Sequence, residues 1–392
     1  MMNGRGLAAC LMLLAGSLTV SPIAFADDDH HGDNGNHFGD SRNVGDPRFS
    51  PPSSEAACNT RTMAAAGGPT LKDDKTLLIR WMGYTNYELI YGDKIILLDN
   101  GYYNRTGTQY KDLGFTAADI KRADLIITGH AHLDHISDTT QVAKQTHAPV
   151  IGAPITISTL ASQGLPAAQQ VTVTGTVPNQ ILSYPKIGIT VQPILGLHGQ
   201  PPHYTAAFGT AYTAAAPPPT PAEAAAFAAL QARGSTDPNI ITQGTIAYVI
   251  TFDDGFRVAY RDSGGFMTSY ETAAMQKIGR VDILLGAVAA DVIAEPQAMV
   301  LLPMLQTYQP AVYIPGHHEE EIGGKPDRAT EPLFQYAKNA HPDLITISKE
   351  FREPTCFDTR ATIAKGYRRD NILGGSVPSN GNLQDWNVPG LF

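Results

Sequence analysis

The feature that most constrains this chain is a cluster of metal-binding side chains placed directly after a short apolar stretch. The apolar stretch at residues 124–128 predicts a buried strand, and residues 129–135 then read Gly-His-Ala-His-Leu-Asp-His. The four candidate ligands are His130, His132, Asp134 and His135. The first two imidazoles are two residues apart and project to one side of an extended turn, while the adjacent carboxylate and imidazole project to a second position nearby. The cluster can therefore contribute to two metal sites.

The donor atoms of this cluster indicate which metal it would bind. Imidazole nitrogen combined with carboxylate oxygen suits Zn²⁺ best, with Fe or Mn as substitutes. Residues 129–135 contain no cysteine, which argues against a thiolate-rich structural site. The pattern favours an open, catalytic metal site.

The cluster closely resembles the HxHxDH signature of the metallo-β-lactamase-fold hydrolases, where the motif caps a strand. The resemblance implies three further ligands at later strand ends, namely His198, Asp262 and His317. Two alternatives stay open at this point, His203 for the first of these positions and His318 for the last. The resemblance further implies that Asp262 bridges both metals, although Arg261 precedes it where the family usually has Gly.

A second stretch is similar to one branch of that family. Residues 81–86 (Trp-Met-Gly-Tyr-Thr-Asn) and 97–100 (Leu-Leu-Asp-Asn) resemble the Trp-x-Gly-His and Asp-Pro patterns of L-ascorbate-6-phosphate lactonase-like and N-acyl-phosphatidylethanolamine phospholipase D-like enzymes. Tyr84 replaces the usual His and Asn100 the usual Pro. By analogy, Asp99 would orient a ligating histidine.

Alternating strand and helix patterns along the chain predict an α/β (α+β) protein. The patterns alone do not predict a more specific fold. The family resemblance is more specific. It implies a four-layer αββα sandwich, with two mixed sheets face to face, helices on the outer faces and the metals at one edge.

Two metals at the separation usual in two-metal sites, about 3.5–4 Å, would activate a water as the nucleophile. Asp134 is the candidate catalytic residue, because a carboxylate beside that water can orient it or move its proton. We therefore expect a hydrolase with two divalent metal ions, zinc being favoured, that acts on an ester-like bond such as a lactone or phosphodiester. Two alternatives are a β-lactamase and a non-enzymatic metal-binding protein that uses an Asp/His-rich leader.

The chain has five predicted regions: a signal peptide at 1–26, a disordered Asp/His-rich leader at 27–68, the main domain at 69–365, an insertion and candidate lid at 204–239, and a tail at 366–392. The apolar N-terminal stretch ends in Ala-Phe-Ala before Asp27, as in cleaved secretory signals, so we expect a periplasmic or secreted protein with no stable membrane insertion. Cleavage leaves Cys58 and Cys356 in a compartment that permits disulfides. The sequence is compatible both with a disulfide between these two cysteines and with two free thiols.

Charge narrows the class of partner. The formal net charge is −9, and the Lys and Arg residues are scattered along the chain. Proteins that bind a phosphate backbone show a basic patch or stripe instead. We expect a small-molecule substrate and no nucleic-acid partner, while the oligomeric state is left unknown.

Overall fold

The computed structural model describes residues 55–102, 113–199, 220–288, 294–317, 327–348 and 351–360. The predicted signal peptide, most of the predicted leader and the predicted tail lie outside these residues. So do the alternative ligands His203 and His318.

One seven-stranded sheet is built mainly from the first half of the chain. Its strands are β1 (Thr76–Trp81), β2 (Tyr87–Tyr91), β3 (Lys94–Leu98), β4 (Leu125–Ile127), β5 (Val150–Gly152), β6 (Gln170–Thr172) and β14 (Pro354–Asp358). Their order is β14-β1-β2-β3-β4-β5-β6. Pairing is antiparallel from β14 to β3 and parallel from β3 to β6.

The second seven-stranded sheet follows along the chain. Its strands are β7 (Leu182–Tyr184), β8 (Ile189–Leu195), β9 (Ile246–Phe252), β10 (Arg257–Arg261), β11 (Ile283–Ala287), β12 (Val312–Gly316) and β13 (Ile345–Thr346). Their order is β13-β12-β11-β10-β9-β8-β7. Pairing is antiparallel from β7 to β10 and parallel from β10 to β13.

Helices connect and cover the strands. They are α1 (Leu133–Ile136), α2 (Thr139–Thr146), α3 (Pro154–Ser162), α4 (Pro221–Gln231), α5 (Ile240–Gln243), α6 (Ser269–Ile278), α7 (Ala294–Tyr308) and α8 (Asp327–Ala340). Within the described part of the chain, none of the helices has the length and apolar character needed to cross a bilayer.

Side chains alternate between two cores along the strands of the second sheet. In β9, Tyr248, Ile250 and Phe252 belong to the core shared with the first sheet, while Val249 packs with the helices on the other face. The same helix-facing core contains Leu284 of β11 and apolar residues of α6, α7 and α8. This alternation follows from the two-residue period of a strand. Two mixed sheets flanked by helices confirm the predicted αββα architecture.

Residues 55–68, assigned from the sequence to the disordered leader, are folded against the first sheet. Ala57, Met63 and Ala65 are buried, and Arg80 of β1 donates hydrogen bonds to the carbonyls of Ala57 and Thr60. The ordered region therefore extends at least to Glu55, upstream of the boundary expected at residue 68. The small apolar side chains of this segment lack any helical or strand period, and their burial depends on contacts with distant parts of the chain.

A disulfide holds the same segment to the end of the described chain. Cys58 and Cys356 are bonded, with a Cα–Cα distance of 6.1 Å. Cys356 lies in β14, which pairs with β1 at the sheet edge. Of the two alternatives left open by the sequence, the structure shows the bridge.

Candidate metal centre

The candidate ligands lie at strand ends that meet along one edge of the two sheets. Strands β8 and β10 both run antiparallel to β9, so they point the same way, and β10, β11 and β12 are parallel. Carboxyl ends of parallel strands share an edge, which places the residues after β8, β10 and β12 together. Parallel pairing of β3 and β4 does the same in the first sheet. The side chains that follow these strands are Asp99, the cluster 130–135, His198, Asp262 and His317.

All seven predicted metal ligands are brought together. Three overlapping groups have donor atoms within 4.8 Å of one another: His130, His132 and His198; His130, His135 and Asp262; Asp134, His135 and His317. The middle group shares one histidine with each outer group. One outer group contains His130 and His132 and the other Asp134 and His135, which is the division that the sequence predicted, and Asp262 belongs to the middle group.

Asp262 is packed at the centre of the site. Its Oδ2 lies 2.5 Å from Nδ1 of His130 and 3.5 Å from Nδ1 of His135. Its Oδ1 is buried and has no hydrogen-bond partner among the described residues. A buried carboxylate oxygen without a donor is rare in folded proteins, and a metal ion is one explanation for it. A Cβ on Gly129 would lie 1.9 Å from this carboxylate, so only glycine leaves room for it.

Hydrogen bonds fix the orientation of two imidazoles. Asp99 Oδ2 lies 2.6 Å from Nδ1 of His135, and Asp99 Oδ1 accepts the Gly129 N–H at 2.9 Å. A carboxylate accepts, so His135 carries its proton on Nδ1 and presents Nε2 to Asp134. Nδ1 of His198 contacts the carbonyl of Gly199 at 2.5 Å, which leaves its Nε2 lone pair free to bind a metal.

The far end of the site joins the cluster to the second sheet. Asp134 Oδ2 lies 3.2 Å from Nε2 of His135 and 2.9 Å from Nε2 of His317. The backbone N–H of His317 donates to the backbone carbonyl of Tyr84 at 2.6 Å. The Tyr84 ring contacts the His317 ring edge-on, with 5.3 Å between centroids. Tyr84, which stands where the similar branch of the family usually has His, therefore helps to position His317.

Burial keeps the group of His130, His132 and His198 in the neutral form, which is the form that binds metals. It lowers the pKa of His130 well below its usual value and lowers that of His198 to about 3. Burial also lowers the pKa of His132. Metal ligation requires neutral imidazole, so these side chains are ready to coordinate at neutral pH.

Three carboxylates, those of Asp99, Asp134 and Asp262, lie within 3.5 Å of the His135 ring nitrogens at the centre of the site. Burial, together with the nearby Asp99 carboxylate, raises the pKa of Asp262 well above its usual value. Burial by itself would lower the pKa of His135, but Asp134 and Asp99 outweigh it and raise that pKa well above normal. A divalent cation would stabilise the ionised form of Asp262 and replace the second proton of His135, the one on Nε2, while Nδ1 keeps its proton toward Asp99. The residues present thus fit a metal centre by donor type, geometry and charge.

Sequence reasoning missed two hydroxyl groups that support the ligands. Thr85 Oγ1 lies 2.9 Å from both Asp99 Oδ2 and His135 Nδ1. Ser263 Oγ accepts the Gly199 N–H at 2.9 Å. Both follow motif positions directly in the sequence, but nothing in the residue pattern shows which backbone or ring atoms they reach.

The described end of the insertion lies against the ligand loop. This end contains α4, and after that helix the backbone N–H of Ser235 donates to the carbonyl of Ala131 at 2.7 Å. Arg233 pairs with Asp138 at 3.0 Å. This part of the insertion is therefore attached to the loop that carries the first ligands. Residues 204–219, which complete the candidate lid, lie outside the described residues.

Comparison with known families agrees with this geometry. Residues 81–199 match the model of the metallo-beta-lactamase superfamily. This segment is similar to members of that superfamily. It contains the cluster 130–135 and His198, and ends before Asp262 and His317.

Several individual proteins that are similar to this chain are named as metal-dependent hydrolases. A UPF0173 metal-dependent hydrolase of Thermoplasma acidophilum is 33% identical over 79 residues, which are 20% of this chain and 32% of that protein. This chain thus spans about a third of that relative's length. A metallo hydrolase of Ignicoccus hospitalis is 14% identical with a TM-score of 0.49, covering 72% of this chain and 98% of that one. A possible metal-dependent hydrolase of Veillonella parvula is 14% identical with a TM-score of 0.47, covering 71% and 98%.

Proposed function

We propose that this protein is a metal-dependent hydrolase that binds two divalent cations, preferably Zn²⁺, and cleaves an ester-like bond in a small molecule, such as a lactone or phosphodiester. The observation that carries the proposal is the arrangement of the three donor groups, which share His130 and His135 and have Asp262 in the central group. A structural zinc site would use four ligands in one closed tetrahedron. Seven donors in a continuous row instead suit two ions side by side.

The residues divide between the two proposed ions. His130, His132 and His198 would hold one, Asp134, His135 and His317 the other, with Asp262 shared. When bound, the ions would supply a nucleophile from water at neutral pH and stabilise charge that develops on the substrate. No serine or cysteine nucleophile is then required.

Asp134 is the proposed catalytic carboxylate. Its side chain is 16% exposed, whereas that of Asp262 is fully buried, so Asp134 is the one of these two carboxylates that solvent reaches. From there it can orient a water molecule or accept its proton.

We further propose that the protein acts in the periplasm or outside the cell. The disulfide between Cys58 and Cys356 supports this location, since such bonds persist in oxidising compartments. The signal-like N-terminus supports it independently.

Metal content per chain tests the proposal. Mass spectrometry of the purified protein after reconstitution with Zn²⁺ should find about two metals per wild-type chain, and fewer in His132→Ala and Asp134→Ala. His147→Asn is the matched control, because this exposed histidine has φ = 60°, a conformation that Asn tolerates. Near-zero metal in the wild type, or metal content unchanged in both site variants, would reject the proposal.

A substrate panel separates the proposed activity from its alternatives. Lactones, phosphodiesters and a chromogenic cephalosporin should be tested with the wild type and Asp134→Ala, which we expect to stay folded and lose turnover. Turnover of the cephalosporin alone would instead indicate a β-lactamase. Deleting residues 27–54 should leave the metal content unchanged, whereas loss of most of the metal would favour a binding protein that uses the leader.

A further inference from the structure

Arg261 stands where the family resemblance leads one to expect glycine, and its side chain is 1% exposed. It is the last residue of β10, directly before Asp262. Its guanidinium turns into the loop that follows: Nη1 donates to the carbonyl of Ser263 and Nη2 to that of Phe266 at 3.0 Å. The loop at 262–267 is therefore wrapped around a buried cation.

A buried carboxylate anchors this cation to two helices. Nε of Arg261 donates to Oε1 of Glu271 at 2.8 Å, and Glu271 is in the first turn of α6. The same Oε1 accepts the hydroxyl of Tyr308, the last residue of α7, at 2.9 Å. The other oxygen accepts the N–H of Thr268, which caps α6, at 2.9 Å. The loop is thus fixed to α6 and α7 through Arg261.

The clamped loop also supports the neighbouring ligand loop. Ser263 Oγ accepts the N–H of Gly199, the residue after His198. A Cβ on Gly265 would lie 1.9 Å from the carbonyl oxygen of Leu197, so the two loops are in direct backbone contact there. Displacement of the 262–267 loop would therefore move His198 as well as Asp262.

We propose that Arg261 is a positioning residue for the metal centre, setting both the Asp262 carboxylate and the His198 imidazole through the backbone of the loop it fills. This inference rests on the proposed metal-binding function. It depends on the shape of the guanidinium: its fork donates to Glu271, Ser263 and Phe266 at once. A lysine ammonium is a compact point charge and cannot reproduce that planar arrangement.

Arg261→Lys tests the proposal, with Arg80→Lys as a matched control. Arg80 is also fully buried, pairs with Glu88 at 2.7 Å and donates to two backbone carbonyls, but those partners belong to β2 and the N-terminal segment. Both substitutions should lower the melting temperature. Only Arg261→Lys should weaken Zn²⁺ binding, by about 10- to 100-fold as for other groups that orient metal ligands, in competition with a chromophoric chelator. The absorption spectrum of bound Co²⁺ should change in that variant and stay unchanged in Arg80→Lys.

The outcomes separate this inference from the proposed function. No Zn²⁺ or Co²⁺ binding by the wild type would defeat the proposed function itself. Wild-type affinity and Co²⁺ spectrum in a folded Arg261→Lys would show that Arg261 only supports packing. If that variant does not fold, Glu271→Gln replaces it: the guanidinium keeps its loop carbonyls but loses its charged anchor, and unchanged affinity and spectrum there would equally overturn the proposal.

Discussion

Replacing Gly129 by alanine is the most direct test of how tightly the centre is packed. Gly129 does not have a positive φ, so its backbone is open to other residues and space alone is the constraint. A Cβ at this position would lie 1.9 Å from both Cγ and Oδ2 of Asp262. Asp262 is a short, fully buried side chain in contact with His130, and it has no flexible end that can swing away.

The size of the effect follows from these distances. Real Cβ contacts essentially never fall below 3.0 Å, so the carboxylate and the new methyl group must separate by at least 3.0 − 1.9 = 1.1 Å. Functional metal sites hold their ligand distances to within about 0.2 Å. A 1 Å misplacement can cost roughly 100-fold in turnover. Overpacking of a buried site should also lower the free energy of unfolding by about 1–3 kcal/mol.

The assay compares Gly129→Ala with a glycine that has room for a methyl group. At Gly196, two residues before His198, a Cβ would have its nearest neighbours at 3.6 Å, an ordinary contact distance. Zn²⁺ content, Zn²⁺ affinity and thermal unfolding should therefore be near wild type in Gly196→Ala and reduced in Gly129→Ala. A Gly129→Ala variant with wild-type metal affinity and melting temperature would refute this account of the site.

Three further changes test other parts of the structure. Asp99→Asn removes the carboxylate that orients His135, and chelator competition should show Zn²⁺ affinity reduced by about 10- to 100-fold; an unchanged affinity would contradict the orienting role. Cys356→Ser opens a bond between residues 298 positions apart, and urea denaturation should show about 2–5 kcal/mol less stability, with no further loss on adding reductant. Glu88→Leu leaves Arg80 buried without its carboxylate and should cost roughly 3–5 kcal/mol in the same assay, while Zn²⁺ affinity stays at the wild-type level; equal stability would show that the ion pair is dispensable.

Much of the candidate site was predictable because its residues are close in sequence or follow recognisable strands. The cluster 130–135 is a local pattern after an apolar stretch, and that stretch forms β4 as the sequence predicted. Parallel strands bring the residues that follow them to one edge of a sheet. The family resemblance indicated which of these residues, Asp262 and His317, would join the cluster.

Other features depend on contacts that no local pattern encodes. Arg261 looked like a departure from the motif, and only the fold shows that its charge is buried against Glu271. The pairing of Cys58 with Cys356 depends on β14 joining the sheet edge beside β1. The structure places His198 and His317 with the other donors, while their alternatives His203 and His318 lie outside the described residues.

The sequence by itself determined the donor types of the candidate site, their spacing and the strand that precedes the cluster 130–135. These are local properties, since strand periodicity and ligand spacing are set by residues a few positions apart. The tertiary structure decided that residues 55–68 pack against the first sheet, how the cysteines pair and what holds the ligand loops. Those outcomes depend on which distant groups become buried together, and burial of a charge or a small apolar segment is favourable only once its partners are in place.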